Sequence, residues 1–232
     1  MLPSAPTSSE TSKKASKRDH ILACARQVFA TQGVERATMQ DIARIAGVSK
    51  GALYLFFESK DELYYQLVST VVDELFARMA HAAEGPGTGF ERAKALLHTY
   101  ARYYAEDVTR FRIALGWLAP GFKLNDSLPK ALEYRHHIVE IMRMAVCAVE
   151  AGQRDGSIRP DLDARRTVLK CWGGSLGLLF LRSKAADEGP LPPPVDEASW
   201  NGVSPRVADV TTINLMELVD EYIDLVMTPL QP

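Results

Sequence analysis

The sequence predicts an all-α protein. Apolar residues recur at helical spacing in every long segment, Gly- and Pro-rich breaks separate those segments, and no stretch alternates as a strand between hairpin turns. With 232 residues, 47% hydrophobic and 24% charged, the chain can bury a sizeable core, which excludes disorder throughout.

Residues 1–16 are Ser, Thr, Pro and Lys with almost nothing apolar after Leu2, and are expected to form a disordered basic tail. From Lys17 the pattern changes. Ile21, Leu22, Ala25, Val28 and Phe29 share a helix face, and Gly33 ends the run as a C-terminal cap. Thr38-Met39-Gln40-Asp41 has the form of an N-cap with an acid at the third position, followed by Ile42, Ala43, Ile45 and Ala46 and stopped by Gly47. Ser49 offers an N-cap for a short helix through Phe56, and Ser59-Lys60-Asp61-Glu62 is a capping box opening a long helix to about Ala82. Two helices joined by the tight turn Gly47-Val48-Ser49 make a helix-turn-helix, although an ordinary helical hairpin fits the same turn.

The remainder reads as further helices. The break 84–89 precedes a stripe of Phe90, Ala93, Leu97, Tyr100 and Tyr104. A short helix covers about Asp107 to Trp117 and ends at Pro120-Gly121. Asn125-Asp126-Ser127 opens a long helix through about Glu150, 152–161 is a turn, and another helix covers about Leu162 to Ser183. Gly189 to Pro205 reads as an extended loop, and a last helix covers about Asp209 to Met227.

Net charge is −2, but it is unevenly divided: residues 1–60 carry nine Lys/Arg against five Asp/Glu, and residues 61–232 eighteen against twenty-four. A basic head on an acidic body suits a polyanionic partner for the head. Cys24, Cys147 and Cys171, odd in number and widely spaced, fit a reducing cytoplasm and give neither a disulfide framework nor a metal site. The longest apolar stretch, Cys171 to Leu181, is short of the roughly 20 residues that span a bilayer, and the first residues hold no apolar signal block. No membrane association is expected.

The stretch 38–63, TMQDIARIAGVSKGALYLFFESKDEL, resembles the DNA-binding head of the tetracycline-repressor (TetR) family, and the likeness runs without a gap from Lys17. Beyond Leu63 only the order and lengths of helices are similar, with the turn 152–161. The resemblance implies a helix-turn-helix domain over 17–63 and an effector-binding and dimerisation domain over 64–232. It implies a homodimer on a palindromic operator, released when a small molecule binds the body and changes the spacing of the heads.

Residue by residue, that role makes physical sense. The second helix of the motif lies in the major groove with its N-terminal residues at base edges. Here it starts at Ser49-Lys50-Gly51. Lys50 can donate to guanine or phosphate, Gly51 lets the backbone approach, and Tyr54 offers a ring to a thymine methyl and a hydroxyl to phosphate. By resemblance Gln40 reaches a base and Thr38 a phosphate, while Lys60 at a helix N-terminus attracts phosphate. Phe56 stands where the family often has a hydrogen-bonding Tyr or His, and phenylalanine cannot donate. Lys13, Lys14, Lys17 and Arg18 suit either a DNA-reaching arm or a solubilising tail.

In the body, His98, Tyr103, Arg112, Trp117, Arg143 and Trp172 are candidate lining for a hydrophobic or aromatic effector, because such pockets are apolar with a few polar anchors. For any single one of them, core or solvated surface is the favoured role. His136-His137 is not a metal pair, since adjacent helical residues point apart. Gly173, Gly174 and Gly177 interrupt an apolar helix at about 1 kcal/mol each, which close helix packing would offset. By resemblance the last two long helices pair with their copies across a dimer, through Leu176, Leu179, Phe180, Ile213, Met216, Val219, Tyr222 and Ile223. Intrachain core accounts for the same residues.

The expected function is a DNA-binding transcriptional repressor with a hydrophobic small-molecule effector and no cofactor. The alternatives are a regulator with a protein effector or none, and an all-α enzyme using the body's pocket. The enzyme reading finds no phosphate loop and no HExxH.

Overall fold

A computed structural model describes residues 8–118, 127–188 and 215–232, and the described chain is helical throughout its regular structure. The expected loop 189–205, the caps at Asn125 and Asp126, the stop at Pro120-Gly121 and Ile213 lie outside the described residues, as do the side chains of Trp117 and Met216.

The helices are α1 (Ser8–Gln32), α2 (Met39–Ile45), α3 (Lys50–Tyr54), α4 (Lys60–Ala83), α5 (Gly89–Glu106), α6 (Val108–Ala114), α7 (Pro129–Asp155), α8 (Ala164–Glu188) and α9 (Leu215–Met227). Short 3₁₀ turns follow α6 at Leu115–Leu118 and α9 at Thr228–Leu230. α1 begins at Ser8, so residues 8–16 are helix and not the expected tail. The polar stretch lacks an apolar stripe, but Ser, Lys and Ala do not oppose extension of a helix whose next turns are packed.

The chain divides into two compact units, Met1–Asp73 with Arg112–His136, and Glu74–Phe111 with His137–Pro232. These units divide α4 after Asp73, ten residues beyond the boundary expected at Leu63 for the helix-turn-helix domain. In the first unit, Ile21, Ala25, Val28 and Phe29 of α1 are buried with Ile42 and Ala43 of α2, Leu53 of α3, and Leu63 and Tyr64 of α4. The segment after Phe111 joins this core through specific bonds. The Tyr64 phenol donates to the Ile113 carbonyl at 3.0 Å, and Ser69 donates to the Lys130 carbonyl at 3.2 Å. A Cβ at Gly116 would lie 2.7 Å from Val34. None of these pairings leaves a periodic signal in sequence.

In the second unit, α5 is capped twice. Thr88 and Glu91 form a capping box, and the turn after α7 supplies Asp155, which accepts from Gly89 N–H at 2.7 Å, and Ser157, which accepts from Phe90 N–H at 3.1 Å. A Cβ on Gly89 would stand 1.9 Å from the Gly152 backbone nitrogen, so only glycine allows this approach. α9 is clamped to α5 by Lys94–Asp224 at 2.5 Å and Arg102–Asp220 at 2.7 Å, and Val219, Ile223 and Met227 bury its inner stripe. Among the described residues no helix is long and apolar enough to cross a membrane.

Candidate nucleic-acid interface and effector cavity

The head is fixed by its caps. Thr38 accepts from Asp41 N–H at 3.1 Å while Asp41 accepts from Thr38 N–H at 3.2 Å. Gly47, at φ +63°, turns the chain, Val48 N–H donates to the Ala43 carbonyl at 3.0 Å, and Ser49 accepts from Ala52 N–H at 3.1 Å to start α3. With Ile42, Ala43, Ala46 and Leu53 buried, the opposite side of the motif faces outward. Gln40, Ser49, Lys50 and Gly51 are exposed, and Tyr54 is 44% exposed. A Cβ on Gly51 would meet nothing within 4 Å, so the protomer's own packing does not require glycine there. Leu55 is 80% exposed beside Tyr54, an apolar side chain that the sequence reading passed over.

The expected phosphate contacts are partly engaged within the protomer. The Thr38 hydroxyl donates to the Asp41 carboxylate at 2.6 Å, completing the cap. Lys60 Nζ donates to the Glu35 carbonyl at 2.9 Å, which leaves two of its three donors. Lys17 Nζ lies over the Phe56 ring, 6.0 Å from its centroid, and Arg18 lies over Phe57 at 4.6 Å and donates to Gln66 at 3.3 Å. Lys13 stands one turn before Lys17 on the same helix face, and both are exposed. α1 therefore carries a cationic stripe that meets the motif two residues beyond Tyr54.

The second unit contains a cavity of about 60 Å³. Leu96 and Tyr100 of α5, Ile141 of α7, and Val168, Cys171 and Trp172 of α8 line it, with Met79 of α4, Met142 of α7 and Met227 of α9. Among the described residues no lining side chain is charged. Among the described side chains Trp172 is the expected pocket residue that lines it, and its Nε1–H donates to the Tyr100 hydroxyl at 2.9 Å. Burial raises the Tyr100 hydroxyl and the Cys171 thiol above their usual pKa ranges, so both stay protonated.

His98, Tyr103, Arg112 and Arg143 lie elsewhere. His98 faces α9, with Nδ1 3.4 Å from Asp220, and burial lowers its pKa below 6.5 against the pull of Asp220. Tyr103 is buried, donates to Glu74 at 3.1 Å, and has Arg78 and Arg110 over its ring at 5.0 and 4.7 Å. Arg112 belongs to the first unit. Arg143 is exposed on α7 and donates to Glu140 at 2.7 Å. His98 and Tyr103 find partners on neighbouring helices and Arg143 on its own, as buried or half-buried polar groups in a helical bundle require.

Of the expected interface residues, Leu179, Val219 and Ile223 are buried within the protomer, 0–2% exposed, and are core. Leu176 is half-buried, and Tyr222 donates to the Cys171 carbonyl at 3.1 Å with Gly174 directly beneath its hydroxyl. Phe180 is 52% exposed, and Leu169, Leu181 and Leu225 are exposed as well.

A family model described as "Bacterial regulatory proteins, tetR family" matches residues 21–67. The HTH-type transcriptional repressor KstR2 of Mycolicibacterium smegmatis is 30% identical over 152 residues, covering 66% of this chain and 72% of that protein. The chain belongs to the TetR family. Among solved structures, the ketosteroid transcriptional regulator KstR2 of Mycobacterium tuberculosis superposes with a TM-score of 0.69 at 20% identity, covering 93% and 95% of the two chains. The regulator FadR from Bacillus subtilis, in complex with stearoyl-CoA, gives 0.65 at 16%, covering 90% and 97%.

As a TetR-family protein the chain is a transcriptional regulator and not an enzyme. The exposed face of α2 and α3 lies within the part of the chain that the family model matches, and the apolar cavity lies outside it. The cavity's apolar wall was missed from sequence because Leu96, Ile141 and Val168 are indistinguishable from ordinary core until a void is found beside them.

Proposed function

We propose that the chain is a repressor that binds a palindromic operator as a homodimer and is released by a neutral hydrophobic small molecule bound in the second unit. The observation that carries the reading is the outward face of Gln40, Lys50 and Tyr54 on a head fixed by three side-chain caps. Kinship with a named repressor at 30% identity supports the sign of regulation. In this reading Gln40, Lys50 and Tyr54 read base edges. Lys60, with Lys13 and Lys17 on α1, neutralises phosphates.

The partner copy packs on the outer faces of α8 and α9 in this reading. Phe180, Leu181 and Leu225 are exposed there, and Gly173 and Gly177 face open space. α4 is the lever. It starts at Lys60 and supplies Met79 to the cavity wall, roughly 28 Å along one continuous helix. A ligand that displaces Met79 moves a helix whose first turn belongs to the head. Release requires that the ligand favour the non-binding arrangement, and about 1.4 kcal/mol of preference is a tenfold loss of operator affinity.

Lys50→Ala tests the reading of bases. It relaxes preference at one position per half-site, by about 1–3 kcal/mol of discrimination. Equal losses on operator and random duplex would reduce Lys50 to a positioning contact.

A further inference from the structure

The cavity's polar atoms specify more than hydrophobicity. Tyr100 accepts from Trp172 Nε1–H at 2.9 Å, and among the described residues its own hydroxyl proton has no acceptor. A buried donor left unpaired is costly. We propose that the cavity takes a neutral hydrocarbon body bearing one uncharged acceptor of the ketone or ester-carbonyl class, and that the Tyr100 hydroxyl donates to that oxygen. This rests on the cavity being the effector site.

Three features define the class. First, Trp172 occupies one lone pair of the Tyr100 oxygen and holds the phenol in place, so the free proton is presented from a fixed oxygen. Second, among the described residues nothing in the wall can neutralise an anion. Arg143 is outside on the α7 surface with Glu140, Arg112 is in the other unit, and the Cys171 thiol is kept neutral by burial. A carboxylate or phosphate in that wall would be an unpaired buried charge. Third, 60 Å³ is well below the roughly 150 Å³ of a dry cavity that admits benzene. Met79, Met142 and Met227 are flexible thioethers and can yield space by changing rotamer. The site therefore accepts a ring or chain by moving methionines, Met79 of α4 among them, and selects it by one hydrogen bond.

The test uses the full chain and three probes of one skeleton: tetralin, 1-tetralone and 5,6,7,8-tetrahydro-2-naphthoate. Dissociation constants are measured for the wild type, Tyr100→Phe and Thr167→Val, the last altering another polar wall residue. The expected result is 1-tetralone binding roughly two- to tenfold tighter than tetralin. That ratio falls to about one in Tyr100→Phe and persists in Thr167→Val, and the naphthoate binds more weakly than either neutral probe. Equal affinity of ketone and hydrocarbon for the wild type, a preference surviving in Tyr100→Phe, or tightest binding by the carboxylate each overturns the inference while leaving the effector cavity intact. If no probe binds, the cavity is not a ligand site and the effector reading falls with it. The wild-type comparison decides the class even if a variant does not fold.

Discussion

Filling the cavity separates effector response from DNA binding. Ala93 of α5 lines the void and is 8% exposed. Ala93→Leu replaces a methyl by an isobutyl group and keeps helix propensity high. Closing 60 Å³ at about 24 cal/mol per Å³ is worth up to about 1.4 kcal/mol. For a domain of this size that is about 3–6 °C in Tm if the new side chain adopts an unstrained rotamer. Overpacking opposes it with a penalty of about 1–3 kcal/mol, so the net change lies between modest gain and modest loss. The functional outcome is sharper. The variant should hold operator DNA with wild-type affinity and no longer release it with 1-tetralone. Thermal unfolding and operator titration with and without ligand measure both. A variant that is still released at the wild-type ligand concentration refutes the assignment of the effector to this cavity.

Lys17→Ala and Lys13→Ala should each lower the slope of log affinity against log salt by about 0.9 on operator and random duplex alike, as loss of one phosphate contact requires; an unchanged slope makes the α1 stripe mere solvated surface. Phe180→Asp, which places a charge on the outer face of α8, should give monomers by sedimentation that no longer hold operator, whereas persistent dimers would place the interface elsewhere. His98 has its pKa lowered in the folded state, so below 6.5 the unfolded chain binds more protons and stability falls as pH drops through the interval between the two pKa values. His98→Gln should flatten that part of the thermal stability profile. Gly89→Ala should cost about 1–3 kcal/mol in chemical denaturation, because its Cβ meets backbone at Gly152, and Gly174→Ala less, because there the obstacle is the movable Tyr222 phenol.

Much of the head was legible in sequence because its signals are local. Thr38 with Asp41, Gly47 at φ +63° and Ser49 act within a few residues of themselves, and their spacing is the motif. Even here one detail moved: Ser59 caps α4 by accepting from Glu62 N–H, but the Glu62 carboxylate accepts from Glu58 N–H one residue before the expected partner. The body was legible only as helices. Tyr103 and His98 carry the same polar-aromatic signal as Trp172, and what separates them is whether Glu74 and Asp220 arrive from other helices, at separations of 29 and 122 residues. Periodicity does not encode that. Likewise Val219 and Phe180 are both apolar helix positions, and only the contact of α9 with α5 and α8 decides which is core. Arg112–His136 packs in one compact unit with the head, and the bonds that tie it there, from Tyr64 to the Ile113 carbonyl and from Ser69 to the Lys130 carbonyl, have no sequence signature.

In the proposed function this head selects one DNA sequence as a symmetric pair. It is tested most directly by incubating the purified chain with fragments of its source genome, recovering those retained in competition with random duplex, and footprinting them. The account predicts a protected pseudo-palindrome with two half-sites an integral number of helical turns apart, about 34–36 Å per turn. It also predicts that Lys50→Ala loosens preference at matching positions in both halves. Retention of no fragment above random DNA, or a single unsymmetric footprint bound by a monomer, would contradict it.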